Sequence, residues 1–173
     1  MNRKKKEYRI YTDGGYSNRR NIGAFACVII DPEDNEVLRF AEKLGNTDKF
    51  GNKETNNTAE IKAIFAGLVK CPDDATSIRF FSDSQYAINV CKGSWQRKKN
   101  VQLLSLYDEW VAKRGIDIQY EWVKGHNGNY YNEVCDQLCN DAAGINLNDR
   151  SEFIPAKVSN EEAMKLLYGE AKN

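Results

Sequence analysis

The spacing of apolar residues changes character along this 173-residue chain, and each change marks a different kind of element. Glu7 to Thr12 alternate and run into Asp13-Gly14-Gly15, which predicts a strand closed by a glycine-rich turn. Gly23 to Ile30 are almost wholly apolar and stop at Asp31-Pro32-Glu33-Asp34-Asn35, a strong turn signal, and Glu36 to Leu44 read as a third strand. Three strands with short connections form an antiparallel meander. After a polar stretch from Gly45 to Thr55 the period becomes helical: from Asn57 on, Ile61, Ile64, Phe65 and Leu68 share one face, and the helix stops before Pro72. A strand over Ile78 to Ser82 leads to a helix from Ser84 to about Cys91 and a basic connector, Trp95 to Lys99. A longer helix follows, with Leu103, Leu104, Tyr107, Trp110 and Val111 as its apolar stripe and Gly115 as its stop. Ile116, Ile118, Tyr120 and Trp122 then alternate with polar residues, and a last helix is predicted from about Asn132 to Ala143. The order βββαβααβα implies an α/β domain over residues 1–143: a mixed five-stranded sheet, three antiparallel strands and then two parallel ones, with helices on both faces. In the 144–173 extension, Ser159-Asn160-Glu161-Glu162 is a capping pattern that opens a short helix with Met164, Leu167 and Tyr168, expected to dock on the main body.

Composition narrows the class. With 41% hydrophobic and 29% charged residues the chain is expected to be one soluble domain with a single core. No apolar run approaches the roughly 20 residues of a membrane helix, and no signal-type stretch follows Met1 to Lys6, so a cytoplasmic protein without a membrane partner is expected. Cys27, Cys71, Cys91, Cys135 and Cys139 are scattered without a Cys-x-x-Cys pair, which argues against a zinc site and against disulfide linkage. The balance of 25 basic and 25 acidic residues looks indifferent to nucleic acid, but it is a sum over unlike parts: residues 1–127 carry 21 Lys and Arg against 17 Asp and Glu, and residues 128–173 carry 4 against 8.

Two acids stand at the ends of strands, Asp13 and Asp83, where ligands collect in sheets with parallel strands. Each also has an ordinary structural reading, Asp13 as the start of a turn and Asp83 as a helix cap. Glu60 falls three residues after Asn57 and could close a capping box with it; Asp136 lies near the start of the last helix and could serve only its dipole. His126, the only histidine, sits in a loop rich in Gly and Asn just past the clearest strand, ten positions before Asp136.

Taken as an ordered set, Tyr11-Thr12-Asp13-Gly14-Gly15, Thr55-Asn56-Asn57-Thr58-Ala59-Glu60, Ser82-Asp83-Ser84-Gln85-Tyr86 and Trp122-Val123-Lys124-Gly125-His126, with Asp136 downstream, resemble type 1 ribonuclease H from about Glu7 to Ala143. The resemblance implies the ribonuclease H-like fold and an endoribonuclease that hydrolyses the RNA strand of RNA–DNA hybrids, leaving 5′-phosphate and 3′-hydroxyl ends. It implies that Asp13, Glu60, Asp83 and Asp136 hold two Mg²⁺ ions, for which Mn²⁺ can substitute, and that His126 assists product departure or proton transfer. Crowded carboxylates and all-oxygen ligation agree with hard divalent cations.

The same resemblance assigns substrate contacts. Asn18, Asn56, Asn57 and Gln85 match positions at the minor groove of the hybrid, Thr55 and Asn100 match a pocket that grips a DNA phosphate with Lys53 as a cationic helper, and Trp95 matches an aromatic lining the DNA channel. The chain departs from many family members in having only Gln96-Arg97-Lys98-Lys99 where a long basic protrusion would stand, so binding is expected to lean also on Arg3 to Lys6 and on Arg19 and Arg20. A monomer is expected. Two other readings compete: a DNA-cutting nuclease of the integrase or resolvase type, which shares such a carboxylate site, and a non-catalytic hybrid-binding module, which would be expected to have lost an acid.

Overall fold

A computed structural model describes residues 4–125 and 128–147 of the chain. Five strands form one sheet: β1 (Glu7–Ser17), β2 (Ile22–Ile30), β3 (Glu36–Leu44), β4 (Ser77–Ser82) and β5 (Asp117–Trp122). Their spatial order is β3-β2-β1-β4-β5; β1–β2 and β2–β3 pair antiparallel, β1–β4 and β4–β5 parallel. The helices are α1 (Asn56–Lys70), α2 (Gln85–Lys92), α3 (Val101–Arg114) and α4 (Tyr130–Ala143). The meander, the parallel pairs and the order of elements agree with the sequence pattern. The extension's expected helix from Ser159 lies outside the described residues.

Alternation along the central strands sorts the core into two layers. Ile10, Cys27 and Ile29 face α1, with Ile61, Ile64 and Leu68 of that helix fully buried against them. Tyr11, Ala26, Val28 and Ile30 point the other way, onto Cys135, Cys139 and Ala143 of α4. Helices therefore cover both faces. Each fully buried Ile or Leu contributes about 1.5–3 kcal/mol, enough between them to hold α1 flat on β1 despite the polar residues it carries inward. Ile145 and Leu147 continue past α4 on the second layer, where the Leu147 side chain lies against Gly15.

The first expectation to be corrected is the turn at Asp13. β1 runs straight through Asp13-Gly14-Gly15 to Ser17, pairing with β2 down to Ser17–Ile22. The two glycines serve packing instead: a Cβ on Gly14 would stand 2.4 Å from the carbonyl carbon of Ala59 in α1. α4 also begins earlier than the apolar pattern suggests, at Tyr130, because the Asn129 side chain accepts a hydrogen bond from the N–H of Asn132 and caps it.

Candidate active site

The parallel β1–β4 ladder ends at the pair Tyr11–Phe81, so Asp13 and Asp83 both emerge just beyond it, side by side at one end of the sheet. Glu60 arrives from below. The close approach at Gly14 brings the α1 backbone onto β1 one residue from Asp13 and one from Glu60. As a result one carboxylate oxygen of each of Asp13, Glu60 and Asp83 lies within 4.8 Å of the others. Asp83 is fixed from a third side. Its carbonyl accepts from the Trp122 indole N–H at 3.1 Å, the Val123 N–H reaches the Ser82 carbonyl at 2.9 Å, and Gly125 passes so near that a Cβ there would fall 2.8 Å from Asp83 Oδ2. Gly14, Trp122 and Gly125 thus position the acids, which the sequence pattern did not indicate; for Gly14, a glycine next to an acid inside a strand was the available signal.

The structural readings of these acids fail on position. The N-cap of α1 is Thr55, reciprocally bonded with Thr58, so neither Asn57 nor Glu60 caps and the first turn holds no acid. Glu60 lies one turn further in, where the helix dipole has little hold. Ser84, not Asp83, caps α2, accepting from the Ala87 N–H at 3.0 Å. Asp136 stands past the first turn of α4, whose acid there is Glu133.

Burial and mutual repulsion dominate the electrostatics. Asp13 is 9% exposed and Glu60 8%. Burial, then the neighbouring Asp83 and Asp136, hold the Asp13 carboxyl well above the usual range, partly relieved by a hydrogen bond from the Gly14 backbone. Glu60 is raised in the same way, by burial and then by Asp13 and Asp83. Asp136 sits outside the trio within 4.8 Å, but its charge bears on Asp13. Glu60 Oε1 is buried without a hydrogen-bond partner, a costly state for a carboxylate oxygen. An orphaned oxygen among three converging carboxylates, with no nitrogen or sulfur donor in the set, fits a hard divalent cation.

Residues 5–144 match the ribonuclease H family model. The chain belongs to the type 1 ribonuclease H family. It is similar to ribonuclease HI of Helicobacter pylori (33% identical, covering 76% of this chain and 90% of that one) and to ribonuclease H of Trichodesmium erythraeum (29%, covering 80% and 89%). Among solved structures it resembles the N-terminal ribonuclease H domain of a Mycobacterium tuberculosis protein (25% identical, TM-score 0.62, covering 80% and 94%). It shares the fold of the LC11 ribonuclease H1 solved in complex with an RNA/DNA hybrid (19% identical, TM-score 0.66, covering 79% and 96%). Family membership makes the chain a hydrolase of the RNA strand of hybrids, in a family that depends on divalent metal.

In this ribonuclease H the other expected residues fall into two groups. Thr55 and Asn100 line one groove of about 500 Å³ together with Lys53, Lys98, Lys99 and Asn52. Asn100 adopts left-handed φ 59 and gives α3 no side-chain cap; its amide donates instead to Tyr86 Oη at 3.1 Å. Asn18 accepts from Lys53 Nζ at 3.2 Å, which ties the loop after β1 to that groove. Asn56, exposed at the start of α1, uses its Oδ1 to accept the Tyr16 N–H at 2.6 Å. Asn57 lines the groove rather than capping, and Gln85 is exposed at the start of α2. Trp95 is 47% exposed and so is not a core residue. His126 lies outside the described residues.

Two expectations about basic residues change. Arg97 is committed to the protein: it donates to the Val90 and Cys91 carbonyls at the end of α2 and pairs with Asp108 of α3. Lys6 pairs with Asp74 beside the start of β1, about six strand residues and so roughly 20 Å from Asp13. Lys98 and Lys99 remain at the groove. Among the described residues, no helix is long and apolar enough to cross a membrane, and the five cysteines are free and buried.

Proposed function

We propose that this ribonuclease H cuts the RNA strand by a two-metal-ion mechanism, with Asp13, Glu60, Asp83 and Asp136 as the residues that hold Mg²⁺, and leaves 5′-phosphate and 3′-hydroxyl ends. The observation that carries the reading is the orphaned Glu60 Oε1 inside the cluster of three carboxylates. Bound there, divalent ions supply Lewis-acid stabilisation of the attacking and departing oxygens of an in-line displacement. The protein's part is positioning. Gly14 and Gly125 let backbone come close enough to fix the acids, and Trp122 holds the Asp83 backbone from the β5 side. His126 is assigned proton transfer or help in product departure, work that an imidazole can do as acid or as base. Residues 1–143 act as the catalytic domain of a monomer, with 144–173 as an extension.

The hybrid's DNA strand is held at the groove between α1 and α3, where Thr55, Asn100, Lys53, Lys98 and Lys99 receive a phosphate. Asn18, Asn56, Asn57 and Gln85 serve the minor groove, and Trp95 lines the DNA channel. Replacing Lys98 and Lys99 together by Ala should reduce the slope of log K against log salt by about 1–2. Arg97→Ala should leave that slope unchanged and instead cost about 2 kcal/mol of stability, because its bonds close on α2 and Asp108. Fluorescence anisotropy over a salt series, with urea unfolding in parallel, separates the two.

The function itself is tested by incubating labelled hybrid, duplex RNA and duplex DNA with Mg²⁺, Mn²⁺ or chelator. Cleavage of hybrid alone, dependent on the ion and leaving ligatable 5′-phosphate ends, is the expected result. Comparable cutting of duplex DNA would favour the integrase or resolvase reading. Binding without cutting would leave only a hybrid-binding module.

A further inference from the structure

Just ahead of the groove, a carboxylate is buried and paired with a half-buried lysine where the proposed chemistry has no direct use for either. Glu54 is 2% exposed, pairs with Lys62 of α1 and accepts from the Thr58 hydroxyl at 2.7 Å. Burying an ion pair costs more than an apolar pair of similar size, so its retention on stability grounds alone is weakly motivated. The direction of the hydrogen bonds suggests what it does. Thr58 Oγ1 lies 2.7 Å from Glu54 Oε1 and 2.9 Å from the Thr55 carbonyl, and its single hydrogen goes to the shorter, charged acceptor. That leaves Thr58 Oγ1 to accept the Thr55 N–H at 2.8 Å. In return the Thr58 N–H donates to Thr55 Oγ1 at 3.1 Å. With its oxygen taken as an acceptor by the helix, the Thr55 hydroxyl keeps its hydrogen to give away.

We infer that Glu54 is a positioning residue for hybrid binding: through Thr58 it fixes the Thr55 hydroxyl as an outward donor to the DNA phosphate, while Lys62 cancels the charge that would otherwise repel that phosphate. The inference rests on the phosphate-groove reading above. The approach to the groove is built around the same anchor. The Glu54 N–H donates to the Asn46 carbonyl at 2.9 Å, Thr47 bridges to Lys53, and Asp48 Oδ1 accepts from the N–H groups of Phe50 and Asn52, both at 2.9 Å. Glu54 thus joins this tight hairpin to α1 at the residue before Thr55.

The test is a steady-state comparison on hybrid substrate. Glu54→Leu and Thr58→Val should each raise KM about tenfold, the worth of a well-directed hydrogen bond to a charged group, with kcat unchanged. Thr58→Ser should restore the wild-type KM. The double variant E54Q/K62M keeps an acceptor for Thr58 without either charge, and should stay within about twofold of wild type. In a Thr55→Val background, Glu54→Leu should add no further rise in KM, since its effect passes through Thr55. If Thr55→Val raises KM and a folded Glu54→Leu does not, the positioning role is overturned and the groove reading stands. If Thr55→Val itself leaves KM unchanged, the groove reading falls and the positioning role falls with it. Equal rises from Glu54→Leu with and without Thr55 would make Glu54 merely structural, and also overturn the inference.

Discussion

Asp13→Asn is expected to lower the rate of hybrid cleavage in Mg²⁺ by roughly a thousandfold or more while hybrid binding persists. Burial, Asp83 and Asp136 all raise the pKa of Asp13. An amide there removes one converging carboxylate without changing shape, so binding at the groove between α1 and α3 is untouched. The same substitution should stabilise the metal-free protein. Asp13 and Glu60 both have folded-state pKa values above those of the unfolded chain, so the fold holds protons more tightly than the coil does. The contribution of Asp13 and Glu60 to the stability of the metal-free wild type should therefore rise as pH falls from neutral through their raised folded values. It should level off near about pH 4, where the unfolded carboxylates also protonate. Mg²⁺ should reverse the preference by stabilising the ionised cluster at neutral pH, and Asp13→Asn should show a weaker response to both pH and ion. Thermal unfolding across pH with and without Mg²⁺, beside a cleavage assay, checks all of this. A variant that cuts at near the wild-type rate would remove Asp13 from the mechanism.

The second large effect is expected from a residue with no chemistry of its own. Gly14→Ala should destabilise the fold by about 3 kcal/mol and reduce kcat about a hundredfold in whatever fraction remains folded. Its Cβ would lie 2.4 Å from the Ala59 carbonyl carbon, 2.6 Å from the Ala59 oxygen and 2.7 Å from the Glu60 nitrogen. All three are backbone atoms, so no side chain can turn aside and α1 must move off β1. That motion separates Asp13 from Glu60 directly. By contrast, Gly45→Ala meets nothing within 4 Å and should leave the rate unchanged, provided the chemistry depends on the contact and not on glycine as such. Unfolding curves and single-turnover rates for the two variants make the comparison; a Gly14→Ala protein with wild-type stability would show that the contact can relax.

Much of this was legible in the chain itself. The helical spacing from Ile61 to Leu68 reports burial directly, because a helix buries one stripe, and the period of two in Ile116 to Tyr120 marks the half-buried face of an edge strand whose last apolar residue, Trp122, is exposed. The ordered motifs carried the four acids. Asp-Gly-Gly was misread because glycine marks turns and close backbone approaches alike; which of the two applies depends on whether another element lies against it, and α1 is some 45 residues away in sequence. Arg97 was misread for a similar reason: a basic run looks solvated until Asp108 and the end of α2 are seen to take up its donors.

By itself, the sequence determined the elements and their order, since these follow from local periodicity, and its ordered motifs pointed through a family resemblance to the acids. Only the tertiary structure decided how the charges were shared out. It set Asp13, Glu60 and Asp83 within reach of one ion, assigned Lys98 and Lys99 to the groove and Arg97 to the scaffold, and buried Glu54 against Lys62. The physical reason is that a charge takes its meaning from what surrounds it within a few ångströms, and those neighbours come from distant parts of the chain.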